Sequence, residues 1–143
     1  MPSRDTGPIA SPNLRLVQSI YAAWGRGDLS SADWAHPEIE FAVEDGLSPG
    51  RWTGRAGMAG AMRNLLSAWT DLSVEADEYH ELEGERVLVL HRYIASGKTS
   101  GLELREMQAN AAGLFHLSDH KVTRLAIYFD RSSALADAGV VAL

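Results

Sequence analysis

The chain has no cysteine. Disulfides, thiolate nucleophiles and cysteine-held zinc or iron–sulfur centres are therefore outside its chemistry. It also has no excess of positive charge. Thirteen Lys and Arg against nineteen Asp and Glu give a formal net charge of −6, the wrong sign for gripping a phosphate backbone. Nucleic acid is not an expected partner. No apolar run approaches the ~20 residues of a membrane-spanning helix, so a membrane is not expected either. Residues 1–10 hold Pro2, Gly7 and Pro8 and lack an apolar signal-type stretch. They read as a loose arm, and a cytoplasmic address is the expectation. No phosphate loop, dinucleotide fingerprint, His-x-His or His-Glu-x-x-His pattern occurs, so neither a cofactor nor a metal is expected.

What is present suits one small domain. The 143 residues are 45% apolar and 22% charged, enough for a real core. Residues 11–139 read as that domain, and residues 140–143 as a short tail. Ser11 and Pro12 look like an N-cap and first turn. Leu14, Val17, Ile20, Tyr21 and Trp24 follow at helical spacing. Gly25 to Gly27 stops this helix, and Asp28 could cap a short second one over 29–34. Ile39, Phe41 and Val43 alternate with polar residues as in a strand. A further helix is predicted over about 56–69, weakened by Gly57 and Gly60. Strands are predicted near 73–82, 86–96, 107–118 and 121–129. Tight turns fall at Glu83-Gly84-Glu85 and, as a three-residue loop, at Asp119-His120-Lys121. A last helix over about 131–138 opens at Asp130-Arg131. Helices first and a meander of strands last predict an α+β domain. Its antiparallel or mixed sheet would be curved and wrapped around the N-terminal helices.

This order of elements resembles the nuclear transport factor 2-like superfamily, in particular its SnoaL-like bacterial branch. The resemblance runs from about Leu14 to Gly139. It rests on Gly27-Asp28, Trp52-Thr53-Gly54, Gly84-Glu85-Arg86-Val87, Ser100-Gly101, Asp119-His120-Lys121-Val122, and Tyr128-Phe129-Asp130-Arg131 with Ser132 to Leu135. The resemblance implies a cone with a small-molecule pocket between helices and sheet. It also implies a homodimer formed through the outer face of the sheet. It does not imply one activity, because the fold hosts isomerases, dehydratases, hydrolases, cyclases and binders. The family's usual last turn carries Gly where this chain has His120, one of the few non-Gly residues enriched at positive φ. The segment 105–113 is about three residues longer than the family pattern.

Two residues stand out as possible catalysts. Asp45 resembles, by position, the catalytic carboxylate of ketosteroid isomerases, and alternation from Phe41 and Val43 turns it inward. A carboxylate in an apolar pocket becomes a usable proton shuttle; the plainer alternative is an Asp-Gly turn in solvent. Arg92 is expected to share an inward face with Leu88, Leu90 and Ile94. It could anchor a ligand carboxylate, pair with Asp45, or form an ion pair with Glu75 or Glu78 across the strands. The rest of an isomerase site is absent: the tyrosine position falls on Ile20, with Tyr21 one residue off, and the second acid on Gly113. The expected pocket lining is Ile20, Trp24, Trp52, Met62, Leu90, Phe115, Leu125, Ile127 and Phe129, with Trp24 and Trp52 at its mouth. His91 and His116 are expected on the outer face. Val87, Val89 and Tyr93 are expected there too, as a dimer surface. The function this supports is binding of a small apolar or carboxylate-bearing molecule. Cofactor-free isomerase, dehydratase or hydrolase chemistry could accompany it. The alternative is a non-catalytic carrier or interaction module.

Overall fold

A computed structural model of the chain describes residues 11–26, 28, 33–45, 49–66, 73–94 and 111–140. Helix α1 spans Pro12–Gly25, with Ser11 as its N-cap. The Ser11 hydroxyl accepts from the Leu14 N–H at 3.0 Å, and Pro12 fills the first position, where no N–H is needed. Strand β1 covers Ala35–Val43 and β2 Gly50–Thr53, followed by helix α2 over Gly54–Leu66. Strands β3 Ser73–Leu82, β4 Arg86–Ile94, β5 Ala111–Ser118 and β6 Lys121–Tyr128 form the meander. Helix α3, Arg131–Ala138, closes it. Its N-cap Asp130 accepts from the Ser132 N–H at 3.1 Å. Its C-terminus is turned by Gly139 at φ 79°, a conformation that suits glycine.

The six strands lie in the order β2-β1-β6-β5-β4-β3. Only β1 and β6 run parallel; the other neighbours are antiparallel. This is the expected α+β architecture with a mixed sheet. Helices α1 and α2 cover one face. Val17, Ile20, Tyr21, Trp24, Met58 and Ala61 from the helices share one buried cluster with Phe41, Val87, Phe115 and Leu125 from the sheet. Helix α3 lies on the other face, where Ala134 and Ala138 pack with Leu88, Leu90, Leu114 and Tyr128.

Strand β4 corrects the predicted faces. Val87, Val89 and Tyr93 belong to the helix-covered cluster, while Leu88 and Leu90 belong to the α3 side. A one-residue error in phase moves every side chain of a strand to the opposite face. Leu90 therefore does not line the interior under the helices. Val87, Val89 and Tyr93 do not form an outward dimer surface, and the outer-face residues Leu88, Leu90 and Tyr128 are already buried within the chain.

The termini of several elements also differ from expectation. Strand β1 begins at Ala35, four residues early. Its register against β6 is irregular between Ala35 and Glu40, which accommodates Pro37, a residue that cannot donate to a ladder. The short edge strand β2 was not predicted and is too brief for a periodic signal. Helix α2 starts at Gly54, before the predicted 56, and its predicted extension to 69 lies outside the described residues. So do most of the helix predicted over 29–34 and the connection from 96 to 105; Asp33 and Trp34 form a turn.

The β5–β6 turn is shorter than predicted. Ser118 pairs directly with Lys121, leaving a two-residue loop, Asp119-His120, with φ of 50° and 62°. Positive φ at both positions is the type I′ geometry that matches strand twist. His120→Gly is accordingly expected to be neutral or stabilising by up to ~1 kcal/mol, read as an unchanged or raised midpoint in urea unfolding. A clear loss of stability would show that the His120 side chain contributes contacts outweighing its backbone strain.

Candidate functional site

The interior between α1 and β4–β5 is apolar except for a few polar groups. Helical spacing brings Tyr21 onto the buried face of α1, beside Val17, Ile20 and Trp24. Alternation along β4 brings His91 inward beneath it. The Tyr21 hydroxyl and His91 Nδ1 are 2.6 Å apart and buried. His91 is completely buried, and its Nε2 has no hydrogen-bond partner among the described residues. Gly113 on β5 makes room for this pair: a Cβ there would come 2.9 Å from the Tyr21 hydroxyl and 3.5 Å from His91 Cε1.

Rings surround the pair. Tyr21 meets Trp24, Phe115 and Tyr79 edge-on, at centroid distances of 4.9, 5.8 and 6.0 Å. His91 meets Tyr93 at 5.1 Å, and Tyr93 meets Phe129 at 5.7 Å. Phe129 leads to Asp45, whose Oδ1 accepts from the Phe129 N–H at 2.6 Å. Asp45 Oδ2 is buried with no partner among the described residues. The strand alternation predicted for Asp45 is visible in its neighbour. Glu44 faces the opposite way, accepting from Arg124 at 3.1 Å and lying 3.5 Å from Arg51. Asp45 is thus partly buried against the interior rather than a free turn residue.

Electrostatics keep the interior uncharged around Tyr21 and His91. Burial, and then the positive charge of Arg131, push His91 down to about 3 against a smaller opposing pull from Asp77. Burial, followed by the neighbouring Tyr93 and Tyr79, holds the Tyr21 phenol well above its ordinary range. Burial and then the Asp45 carboxylate do the same for Tyr93. At neutral pH the imidazole and both phenols are therefore neutral.

Arg92 lies elsewhere. It is exposed on the opposite face of β4, donating from Nε to Asp77 at 2.8 Å, with Glu75 at 3.5 Å. The β3–β4 turn does have three residues, since Leu82 pairs with Arg86, but a bulge between Ala76 and Glu78 shifts the register so that Arg92 opposes Glu75. Asp77, in the bulge, also accepts from Arg131 at 2.8 Å. Arg131 in turn donates to the carbonyls of Ala111 and His91, tying α3 to β4 and β5. Burial alone would raise the Asp77 carboxyl, but the hydrogen bonds from Arg131 and Arg92 outweigh it and hold it below its ordinary range. The prediction that Arg92 faces Asp45 is thus corrected; Arg92 belongs to a surface ion network.

Of the other predicted lining residues, Ile20, Phe115, Leu125 and Ile127 are buried in the interior cluster, and Met62, Trp52 and Phe129 pack against it. Trp24 is 3% exposed and meets Tyr21 and Trp34 edge-to-face, inside the core rather than at a mouth. His116 does lie on the outer face, opposite Arg124. His91, expected beside it, does not. Among the described residues no group of three His, Asp or Glu side chains could hold a metal ion, and no helix is long and apolar enough to cross a membrane.

Comparison with solved structures supports the same fold. An NTF2-like protein of unknown function from Burkholderia pseudomallei superposes with a TM-score of 0.67 at 20% identity, covering 90% of this chain and 98% of that one. A putative polyketide cyclase from Xanthomonas campestris gives 0.59 at 19% identity, with 89% and 96% covered. TerC, co-crystallized with polyporic acid, gives 0.61 at 23% identity, with 90% and 98% covered. No curated protein matches the sequence. Residues 17–125 match the SnoaL-like domain, a span that contains most of α1, all of β1 to β5 and α2, and the first five residues of β6, and so includes Tyr21, Asp45, His91 and Gly113; the chain belongs to the SnoaL-like family within the nuclear transport factor 2-like fold.

Proposed function

We propose that the protein binds a small, largely apolar molecule between its N-terminal helices and the sheet, and that Asp45 exchanges a proton with it without a cofactor. The observation that carries this reading is Asp45 itself. One carboxylate oxygen is fixed by the Phe129 N–H and the other is buried with no partner among the described residues. A buried acceptor of this kind is costly unless something donates to it. A ligand hydroxyl or an acidic C–H placed against Oδ2 supplies that donor, and the carboxylate can take the proton and return it. Isomerisation, dehydration and water addition all need that step. The ring-rich surroundings suit an apolar ligand body with few polar groups. The TerC complex with polyporic acid supports small-molecule binding in this fold.

Deuterium exchange tests the reading. Cyclohexanone, 2-cyclohexenone and acetylacetone, each held in D2O with the protein, report proton abstraction by NMR. The wild type is expected to accelerate exchange of at least one, and Asp45→Asn to remove about 10²–10⁴-fold of the gain. Asn keeps an oxygen for the Phe129 N–H but cannot accept the proton. Equal rates in both proteins would rule out Asp45 as the base. Saturable binding without any exchange would favour a carrier.

A further inference from the structure

We propose that the Nε2–H of His91 is the donor that receives the carbonyl oxygen of a neutral ligand, with Tyr21 and Gly113 as its positioning residues. This rests on the interior being a binding site, and it replaces Arg92 with an uncharged recognition group. The tautomer follows from hydrogen-bond accounting. The buried Tyr21 hydroxyl has one proton to donate, and its partner is His91 Nδ1 at 2.6 Å. If the hydroxyl donates there, Nδ1 accepts and the ring proton sits on Nε2. Nε2 is then a fully buried donor with no acceptor among the described residues, and a buried donor calls for one.

The ligand's charge follows from what surrounds that donor. Among the described residues His91 is the one polar or charged residue that is fully buried besides the tyrosines, and no Lys or Arg is buried with it. Arg131, whose charge acts on His91, is itself held by Asp77 and by the carbonyls of Ala111 and His91, and Arg92 is bound to Asp77 on the other face. On the interior side, Tyr93 contacts His91 and lies near Asp45, so the ionisable side chain there is an acid rather than a cation. A carboxylate ligand would meet one neutral donor and no buried cation to balance its charge. A ketone, aldehyde or quinone carbonyl meets a donor it can use at no charge cost. The rings of Tyr21 and Tyr93 against His91, with Phe115 against Tyr21, suit a flat ligand ring beside that carbonyl.

Gly113 fits the same assignment. Any side chain there would push on the Tyr21 hydroxyl and so disturb the bond that sets the tautomer. The pair is built from three elements, α1, β4 and β5, and depends on the absence of a Cβ at one of them.

Long-range proton–nitrogen NMR of labelled full-length protein, titrated with acetophenone and separately with benzoate, tests the proposal. The free protein is expected to show His91 as the Nε2-protonated tautomer. Acetophenone should shift the Nε2 signal saturably, and benzoate should not at the same concentration. His91→Phe should weaken acetophenone binding about tenfold or more. Tyr21→Phe keeps the imidazole but releases Nδ1; it should mix the tautomers and weaken binding several-fold, a readout that does not depend on His91→Phe folding. An Nδ1-protonated ring in the free protein, or tighter binding of benzoate, overturns the proposal. Saturable acetophenone binding that is indifferent to both variants overturns it while leaving the binding interior standing. No saturable binding of either probe overturns both.

Discussion

Gly113→Ala is expected to unfold at a lower denaturant concentration than the wild type, by an amount equal to roughly 2–3 kcal/mol. The sign makes this informative. Glycine inside a strand is ordinarily a weakness, and alanine there ordinarily adds up to ~1 kcal/mol. Here the added Cβ would stand 2.9 Å from the Tyr21 hydroxyl, closer than a real Cβ contact can be. The hydroxyl cannot swing aside freely, because Tyr21 is buried among Trp24, Phe115 and Tyr79 and bonded to His91. Either the ring shifts and the His91 bond is lost, leaving two buried polar atoms, or the strand moves. Tyr21→Phe removes the clashing oxygen, so Gly113→Ala in that background should cost much less. A double-mutant cycle in urea therefore gives a coupling of about 1–2 kcal/mol. Additive effects would mean that Gly113 and the Tyr21 hydroxyl do not compete for the same space.

Acidification should expose His91 as a second large effect. In the unfolded chain His91 titrates near its ordinary value of 6.5, and in the folded protein near 3. Between these values the unfolded state binds a proton that the folded state refuses. The contribution is fully present above pH 6.5 and lost as pH falls toward 3, at up to ~1.4 kcal/mol per unit. From pH 6.5 to about 4.5 the wild type should lose about 2–3 kcal/mol more than His91→Gln, which cannot titrate. His116, half-buried and likewise held low by burial and then by Arg124 and Arg86, slopes the same way in both proteins and cancels in the comparison. Asp77 titrates beneath this window. Identical pH slopes for wild type and variant would show that His91 is protonated, or reaches water, in the folded state.

The sequence resolved the fold better than the site, for reasons visible in single elements. Helix α1 announced itself through a cap, a proline and helical spacing, and all three are in place. The meander was marked by turn residues, and the strand ends at 73–82, 86 and 121 follow them. Asp45 could be turned inward because Ile39, Phe41 and Val43 alternate with Glu38, Glu40, Ala42 and Glu44. Strand β4 offered no such contrast, since Val87 to Leu90 are apolar on both faces and all four are buried. Alignment to the family pattern turns Leu88, Leu90 and Arg92 inward and His91 outward. A neutral imidazole is much easier to bury than a guanidinium, and that comparison would have reversed the assignment. Tyr21 was hidden differently: it stood beside Ile20, and both face the core. The Asp77 bulge left no signature in the sequence, yet it decides the partners of Arg92.

Asp45 and His91 are the two groups through which the interior is proposed to hold a small molecule. Native mass spectrometry of the protein, after incubation with an extract of the cells that produce it and rapid desalting, tests that role most directly. A one-to-one adduct of small mass that collisional activation releases is expected. The adduct should be reduced in His91→Phe and in Asp45→Asn and kept in Arg92→Leu, whose side chain lies on the opposite face of β4. A bare protein mass throughout, or an adduct that Arg92→Leu abolishes and the two interior variants retain, would contradict it.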